Sequence, residues 1–231
     1  MKKFDVKRLD WDSDFFGFEI GEITNEIDIS DYLNYHLLIL KQSEDKDILI
    51  DKFKKKFQET KLIFNKVLSP DNLNVDINSI VDNDIIPLQN IALYSLAFES
   101  GKYSRFKLDN NFCQNKFELL YSKWVDNSIN KQFADKLFYT KELNDLIGFV
   151  TVKLNNKFAT IGLIAVAENF QGRGIGKKLL SKVETYCVSN NVFELQIPTQ
   201  KENRQACAFY TSLGFNIIEE KIIKHYWKIS E

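Results

Sequence analysis

Apolar residues change their spacing along the chain, and this spacing predicts the order of helices and strands. Residues 117–124 carry aromatic and aliphatic side chains at intervals of three and four, which predicts one face of an amphipathic helix. The next three apolar runs are joined by short polar turns, which predicts an antiparallel meander. These runs span residues 136–140, 146–154 and 159–166.

The remainder of the C-terminal part predicts helices that alternate with strands. A helix is expected from Gly174 to Asn190, and strict alternation over residues 193–197 predicts a half-buried strand. A second helix is expected at 203–213, where Gly214 is a suitable residue to end it. A final strand is expected at roughly 215–229.

The N-terminal part predicts a mixed α/β segment with a less regular pattern. The expected elements are a strand at 37–40, a charged helix at 43–59, a strand at 62–68 and, after an Asp- and Asn-rich stretch at 71–90, a strand at 91–98. This stretch contains Pro87 and is taken as a domain boundary. We therefore predict an N-terminal α/β domain over residues 1–88 and a second domain over residues 89–231.

Composition excludes several classes of function. A net charge of −1 gives no electrostatic reason to expect a nucleic-acid partner. Three widely spaced cysteines and two histidines predict neither a disulfide framework nor a metal site. The first residues lack the apolar run of a signal peptide, and no apolar stretch is long enough to cross a bilayer. The expectation is a cytoplasmic protein that does not bind membranes.

A glycine-rich loop follows the last run of the meander. Gly172, Gly174 and Gly176 alternate with other residues and lead into the predicted helix. Glycines allow positive φ angles and close approach of a bulky anion, and the amides of the first helical turn point at that anion. Arg173 and Lys177 add positive charge beside it. A pyrophosphate group fits this arrangement.

Other interpretations of the loop remain open. A glycine-rich turn that only begins a helix is the simplest. A dinucleotide-binding fold would use Glu194, about twenty residues further on, as its ribose ligand. However, Lys177 stands where that fingerprint has glycine, and a meander precedes the loop. No Gly-Lys-Ser/Thr follows, which argues against a kinase-type phosphate loop.

A second motif lies in the predicted helix at 203–213 and points to a family. The residues concerned are Asn203, Ala206, Tyr210 and Gly214-Phe215, together with Gln171–Gly176. Over roughly residues 90–231, this pattern resembles the GCN5-related N-acetyltransferases (GNAT). The resemblance implies an α/β (α+β) fold with a mixed, largely antiparallel sheet flanked by helices, here extended by the smaller N-terminal domain.

The resemblance also implies that acetyl-CoA is the co-substrate and that no metal is needed. In the family, the strand before the loop hydrogen-bonds the pantetheine arm, and the loop holds the pyrophosphate. Asn203 would approach the pantetheine, unless it serves only as a helix N-cap. The implied cofactor-binding residues are Ile164, Ala165, Val166, Gln171, Gly172, Arg173, Gly174, Ile175, Gly176, Lys177 and Asn203.

Tyr210 is the predicted catalytic residue, since in the family this tyrosine faces the thioester sulfur. A thiolate leaving group has a pKa of about 8.5, and a tyrosine of pKa about 10 can protonate it. A buried core tyrosine is the alternative. The amides at Val166 and Ala167 are expected to stabilise the oxyanion if a β-bulge frees them. The base is unassigned, because Glu168 is interpreted as a solvated turn residue.

A narrower resemblance concerns the acceptor. The N-terminal Leu9-x-Trp11-x-x-x-Phe15-Phe16-Gly17, Ser104-Arg105-Phe106, Tyr121-x-x-Trp124-Val125-x-Asn127-Ser128 and Thr199-Gln200 are similar to the dTDP-fucosamine acetyltransferases. That family acetylates the 4-amino group of a dTDP-linked 4-amino-4,6-dideoxygalactose used in polysaccharide biosynthesis.

Two residues are candidates for contacts with such a nucleotide sugar. Arg105 could pair with the diphosphate, and Phe16 could stack on a base or sugar ring, although a surface arginine and a core phenylalanine are the alternatives. A homodimer is a possible assembly of the chain. The competing hypotheses are another amine acceptor (a protein N-terminus, a polyamine or an antibiotic) and a non-catalytic acetyl-CoA-binding module.

Overall fold

The computed structural model describes residues 4–26, 32–72 and 76–229. The helices and strands in these ranges are β1 Phe4–Arg8, α1 Asp10–Phe16, β2 Ile20–Glu26, β3 Leu37–Gln42, β4 Phe53–Val67, β5 Val81–Asp82, α2 Ile91–Ser100, α3 Arg105–Leu108, α4 Gln114–Ile129, β6 Lys136–Glu142, β7 Asp145–Leu154, β8 Ala159–Val166, α5 Ile175–Ser189, β9 Glu194–Gln200, α6 Arg204–Ser212 and β10 Asn216–Lys228. None of the described helices is both long and apolar enough to cross a membrane.

The chain forms two compact units. Unit 1 contains Met1–Leu62, Gln200–Glu202 and Glu219–Glu231, and unit 2 contains Ile63–Thr199 and Asn203–Ile218. Strands β4, β9 and β10 contribute residues to both units. The division into domains at residues 1–88 and 89–231 stays a prediction.

Unit 1 is built on strands from both ends of the chain. Strand β1 pairs antiparallel with β2, β2 pairs parallel with β3, and β3 pairs antiparallel with β10. Apolar side chains from β2, β3, β4 and β10 and from the β2–β3 and β3–β4 connections pack into one buried cluster. Its members are Ile23, Tyr32, Leu38, Ile50, Phe53 and Tyr226.

Unit 2 contains the predicted mixed and largely antiparallel sheet. Strands β5, β6, β7 and β8 form consecutive antiparallel pairs, which confirms the meander, and β9 joins β8 in parallel. Strand β4 is hydrogen-bonded to the other edge of β9. Helix α5 packs closely on the sheet, because a Cβ at Gly148 of β7 would lie 3.2 Å from Leu179 and 3.3 Å from Ile175.

Most predicted elements of the C-terminal part are confirmed, but residues 91–98 form a helix and not a strand. Leu93, Leu96 and Ala97 of α2 are buried, at intervals of three and four residues. This spacing gives one apolar helical face. The prediction was wrong because the run is short and apolar throughout, a pattern that suits a buried helix and a buried strand equally.

The charged helix predicted at 43–59 is also wrong. Residues 43–52 connect β3 to β4 without a helix, and residues 53–59 belong to the long strand β4. Phe53 and Glu59 of this strand are buried, while Lys54 and Lys56 are exposed. Lys55 donates to Asp47 at 2.6 Å. The lysine run had favoured a solvated helix face, but it lies on a half-exposed strand.

Strand β8 contains a bulge that changes which backbone groups face β7. The β7–β8 register passes from Val150–Ile164 to Val152–Ile161, so β8 has one extra residue opposite Thr151. The Thr151 side chain compensates for the lost ladder bond, since its Oγ1 accepts from the Leu163 N–H at 2.8 Å. Thr151 is 1% exposed. This buried bond fixes the position of the bulge.

We expect Thr151→Val to destabilise the protein by about 1–3 kcal/mol, because the buried Leu163 N–H would lose its acceptor. Thr151→Ser keeps the hydroxyl and should lose much less. Urea unfolding of the two variants measures this difference. Equal stability of the valine variant and the wild type would contradict the role given to Thr151.

Candidate active site

The central feature of unit 2 is a gap between the parallel strands β8 and β9. The paired residues are Ala159 with Leu195 and Thr160 with Gln196, and no further pair follows along the two strands, both described throughout. Beyond this point β8 continues to Val166 without β9 alongside it. We call this opening the β8–β9 gap and its closed end the vertex.

Pro198 explains why the parallel pairing stops. Leu68 N–H donates to Phe193 C=O at 2.8 Å, so odd-numbered residues of β9 direct their backbone toward β4. Because backbone groups alternate along a strand, Gln196 and Pro198 direct theirs toward β8. Proline has no N–H to donate to a ladder. The strand therefore cannot continue its hydrogen bonding to β8 after Gln196.

The β8 backbone presents hydrogen-bonding groups to this gap. Ala167 N–H donates to Ile147 C=O at 2.9 Å, which assigns the odd-numbered end of β8 to β7. By alternation, the amides of Ile164 and Val166 face the gap. Ile164 and Val166 are half-buried, and Ala165 is buried.

The oxyanion site predicted at Val166–Ala167 is therefore wrong for Ala167, because Ile147 already accepts from its N–H. The bulge lies earlier in β8, at Gly162–Leu163, and the amide that it displaces is taken by Thr151. Val166, together with Ile164, remains a donor toward the gap. The predicted bulge exists, but its place in the strand differs.

The predicted glycine loop (residues 171–177) lies at the open end of the gap. Gly172 and Gly174 have φ angles of 76° and 77°, which favour glycine over other residues. A Cβ at either position would meet no atom within 4 Å, so both glycines border open space. Gly174 is the N-cap of α5 and offers no side-chain acceptor to the first-turn amides. The amides of Ile175, Gly176 and Lys177 begin the helix there.

Gly176 has a different role from the other two glycines. A Cβ at this position would lie 2.9 Å from Cζ of Phe209 on α6. Glycine therefore allows the first turn of α5 to approach α6 closely. The loop motif combines two glycines for backbone conformation with a third for helix packing.

The charged and polar residues of the loop lie at its surface. Arg173 and Lys177 are exposed, and Arg173 lies 3.8 Å from Glu142 with its guanidinium over the Phe170 ring. Gln171 Nε2 donates to Val166 C=O at 3.0 Å. Gln205 of α6 donates in turn to Gln171 Oε1 at 2.8 Å. This chain of hydrogen bonds ties the loop to β8 and to α6.

This loop fits the diphosphate of coenzyme A. The space that a Cβ would fill is open at two glycines, uncapped amides begin a helix beside them, and two cationic side chains are exposed nearby. The β8 amides then lie along the adjacent gap, where an amide-containing arm has partners. Among the described residues, no group of three or more His, Cys, Asp or Glu side chains could hold a metal ion.

Asn203 begins the second helix of the site. Its Oδ1 accepts from Ala206 N–H at 3.2 Å, so the side chain serves as the N-cap of α6. The cofactor contact predicted for Asn203 stays a prediction. Gly214 follows the helix with φ 84° and satisfies the expected left-handed conformation.

Tyr210 lies on α6 among aromatic rings. It is 5% exposed, and its ring contacts Phe64, Phe209 and Phe215 at centroid distances of 5.5, 5.5 and 6.1 Å. Burial raises the pKa of Tyr210. At neutral pH the phenol is therefore protonated, which is the form that a proton donor needs.

Phe64, Pro198 and Gln205 were missed by the sequence reasoning. Phe64 belongs to β4, and no local pattern connects it to Tyr210, which is far away in sequence. Pro198 did carry a signal, because a proline within a predicted strand marks a place where ladder pairing fails. Gln205 is one of several polar residues on an exposed helix face and has no distinguishing spacing.

The two predicted substrate residues lie elsewhere. Phe16 is 6% exposed and packs against Phe15 and Phe18 in unit 1, which favours a core role over the predicted stacking on a ligand. Arg105 is half-buried at the start of α3 in unit 2, with its guanidinium 4.6 Å from the centre of the Phe106 ring. Its contact with a diphosphate stays a prediction.

A glycine loop with open space beside uncapped helix amides, an adjoining strand whose amides face a gap and a protonated phenol suit an acyl-CoA-dependent transferase. Comparison with known proteins gives the family. Residues 104–215 match the family model described as the acetyltransferase (GNAT) family. These residues, just under half of the chain, adopt the GNAT fold. Together with relatives named as acetyltransferases, the match supports acetyl-CoA-dependent N-acetyltransferase activity.

Two named proteins are similar in sequence to parts of this chain. Streptothricin acetyltransferase A of Bacillus subtilis (strain 168) is 29% identical over 129 residues, which are 52% of this chain and 69% of that protein. The ribosomal protein bS18-alanine N-acetyltransferase of Salmonella typhimurium is 36% identical over 73 residues, or 32% of this chain. That match spans 48% of the relative.

A solved structure shows the same fold over a larger share of the chain. The GCN5-related N-acetyltransferase from Sphaerobacter thermophilus superposes with a TM-score of 0.55 at 12% identity. The match covers 84% of this chain and 60% of that one. It supports the predicted GNAT fold, with a mixed sheet flanked by helices.

We expect Gly174→Val to abolish acetyl-CoA binding, because the new side chain would occupy the open space beside the first-turn amides. The positive φ angle should also lower stability by about 1–2 kcal/mol. Calorimetric titration with acetyl-CoA measures the first effect, and thermal unfolding measures the second.

Gly214→Val is the matched control. Gly214 has φ 84° and no atom within 4 Å of an added Cβ, but it follows the C-terminal end of α6 and is not part of the glycine loop. This variant should lose similar stability and still bind acetyl-CoA. Equal affinities in the two variants would show that the loop does not hold the cofactor.

Proposed function

We propose that this chain transfers the acetyl group of acetyl-CoA to an amino group of a nucleotide-linked amino sugar. The proposed acceptor is the 4-amino group of a dTDP-4-amino-4,6-dideoxyhexose, such as dTDP-fucosamine. Tyr210 is the proposed general acid. The observation that carries the chemistry is the placement of the β8–β9 gap beside the glycine loop, with Tyr210 in the same unit.

The proposed reaction is a direct transfer. Acetyl-CoA supplies the activated acetyl thioester when bound. The new C–N bond forms as the C–S bond breaks, the amine loses one proton, and the sulfur gains one. Ile164 and Val166 offer amide donors for the carbonyl oxygen, and Tyr210 holds a proton at Oη for the leaving sulfur.

The nucleotide-sugar acceptor has narrower support. Arg105 is a half-buried arginine in unit 2, and a guanidinium pairs well with a diphosphate because it offers two parallel donors. The sequence similarity to the dTDP-fucosamine acetyltransferases includes this residue. The predicted homodimer and cytoplasmic location remain parts of the proposal.

An antibiotic amine is a second candidate acceptor. It is favoured by the match to streptothricin acetyltransferase A, which extends over 69% of that relative. A streptothricin-like acceptor is cationic, whereas a nucleotide sugar is anionic. The two candidates therefore differ in charge as well as in shape.

A thiol-release assay with acetyl-CoA tests the acceptor directly. The panel contains dTDP-linked 4-amino sugars, the corresponding free amino sugars, streptothricin, a polyamine and an alanine-initiated peptide. We expect the dTDP-linked sugar to have the highest kcat/KM. A higher value for streptothricin or the peptide would overturn the sugar acceptor, and binding of acetyl-CoA without any turnover would indicate a non-catalytic module.

We expect Tyr210→Phe to lower kcat by about 10²-fold, because the variant lacks the proton donor. Its affinity for acetyl-CoA should change little, since the ring and its packing are retained. Single-turnover rates and calorimetric titration separate the two quantities. A wild-type rate at saturating substrate would remove Tyr210 from the mechanism.

Tyr186→Phe is the matched control for this substitution. Tyr186 lies on α5, where its ring contacts Phe138. The substitution removes a phenol from the same unit and keeps the aromatic ring. We expect wild-type turnover in this variant.

A further inference from the structure

Three polar residues lie side by side at the vertex of the β8–β9 gap. Thr160 of β8 pairs with Gln196 of β9, and this is the last pair before the strands separate. Strand β4 lies along the other edge of β9 and carries the third of these residues. The hydrogen bond from Leu68 N–H to Phe193 C=O fixes the β4–β9 register at one end.

A second bond fixes the register at the other end of these strands. Lys201 N–H donates to Thr60 C=O at 2.8 Å. The two bonds agree on one antiparallel alignment, and this alignment places Asn65 directly opposite Gln196. Thr160, Gln196 and Asn65 therefore form a continuous row across three strands, which we call the vertex row.

The vertex row lies on the sheet face opposite α5 and α6. Phe64 contacts the ring of Tyr210, and Lys66 donates to Glu184 of α5 at 2.6 Å. Side chains alternate along a strand, so Asn65, between these two residues, points to the other face. The neighbouring row agrees, because Leu195 lies opposite Lys66 in this alignment and is fully buried.

None of the three side chains in the vertex row makes a hydrogen bond to another described residue. All three are half-buried, and Asn65 Oδ1 is inaccessible to solvent without a partner. Buried amide oxygens in proteins are almost always paired, so an unpaired one at a functional site indicates a ligand or water. The group that would satisfy this oxygen is an N–H or O–H donor.

The vertex is also where the reacting end of the cofactor should arrive. The glycine loop lies beyond Val166, and the six residue steps from Thr160 to Val166 span roughly 20 Å of strand. An arm anchored by its diphosphate at the loop therefore extends back along β8 toward the vertex. An acceptor held at the vertex would meet its acyl end.

We propose that the vertex row binds the acceptor and selects a neutral, hydroxylated ring that carries the reacting amine. This inference rests on the proposed function and gives a physical reason for a sugar acceptor. Two carboxamides and one hydroxyl both donate and accept hydrogen bonds, as sugar hydroxyls do. The row has no carboxylate to attract a polycation, and the adjacent Lys153 is paired with Asp135 at 2.8 Å.

The test is Asn65→Leu and Gln196→Leu, assayed with the dTDP-linked 4-amino sugar and with acetyl-CoA as separately varied substrates. We expect the acceptor KM to rise by about tenfold in each variant, because a hydrogen bond in a half-buried site is lost. The KM for acetyl-CoA should stay within about twofold of the wild type. Calorimetric titration with the amino sugar should show the same weakening.

Thermal unfolding distinguishes acceptor binding from a structural role. Asn65→Leu removes an unpaired buried oxygen, so the melting temperature should stay level or rise. A melting temperature that falls together with activity would indicate a structural asparagine and would overturn the inference. Ser181→Ala, at a buried position of α5 on the other side of the sheet, is the control and should keep the wild-type acceptor KM.

The outcomes separate this inference from the proposed function. If the wild type acetylates the amino sugar but both leucine variants keep its KM, the vertex row is wrong and the proposed function stands. If only cationic amines are acetylated, the sugar acceptor is wrong, and so is selection of a neutral ring. If no amine is acetylated, equal or undetectable binding of the amino sugar to the wild type and Asn65→Leu overturns the inference.

Discussion

The site in unit 2 depends on one missing hydrogen-bond donor. Pro198 faces β8 but has no N–H, so the parallel ladder between β8 and β9 ends at Gln196. A sheet interior normally pairs its backbone groups, and unpaired ones are costly unless water or a ligand satisfies them. The gap therefore turns part of a β-sheet into a surface that can accept an extended polar molecule as a substitute strand.

The bulge in β8 determines which part of that surface is available. Without the extra residue opposite Thr151, the alternation would be shifted by one, and Ile164 and Val166 would direct their amides toward β7. The buried hydrogen bond from Leu163 to Thr151 fixes this shift. Two features, a proline on one strand and a bulge on the other, thus open the gap and supply its donors.

Local patterns predicted the helices and the loop of the site well. The glycine loop, the helix that carries Tyr210 and the meander could be inferred because each depends on residues close in sequence. The run at 91–98 was misassigned because short apolar segments suit either a helix or a strand. The position of β4 could not be inferred, since strand pairing between distant segments leaves no local periodicity. For the same reason, neither Phe64 nor the vertex row was recognisable from the sequence.

The contribution of β4 has a consequence for how the protein acquires its activity. Phe64 packs against Tyr210, which follows it by more than half of the chain. Asn65 and Gln196 lie opposite each other across a similarly long stretch of sequence. Such contacts have high contact order, and closing the intervening chain is slow. During synthesis, β4 therefore lacks its partner strands β9 and β10 until the last third of the polypeptide has emerged. Until then, β4 exposes an unpaired edge, the kind of surface on which chaperones and aggregation compete.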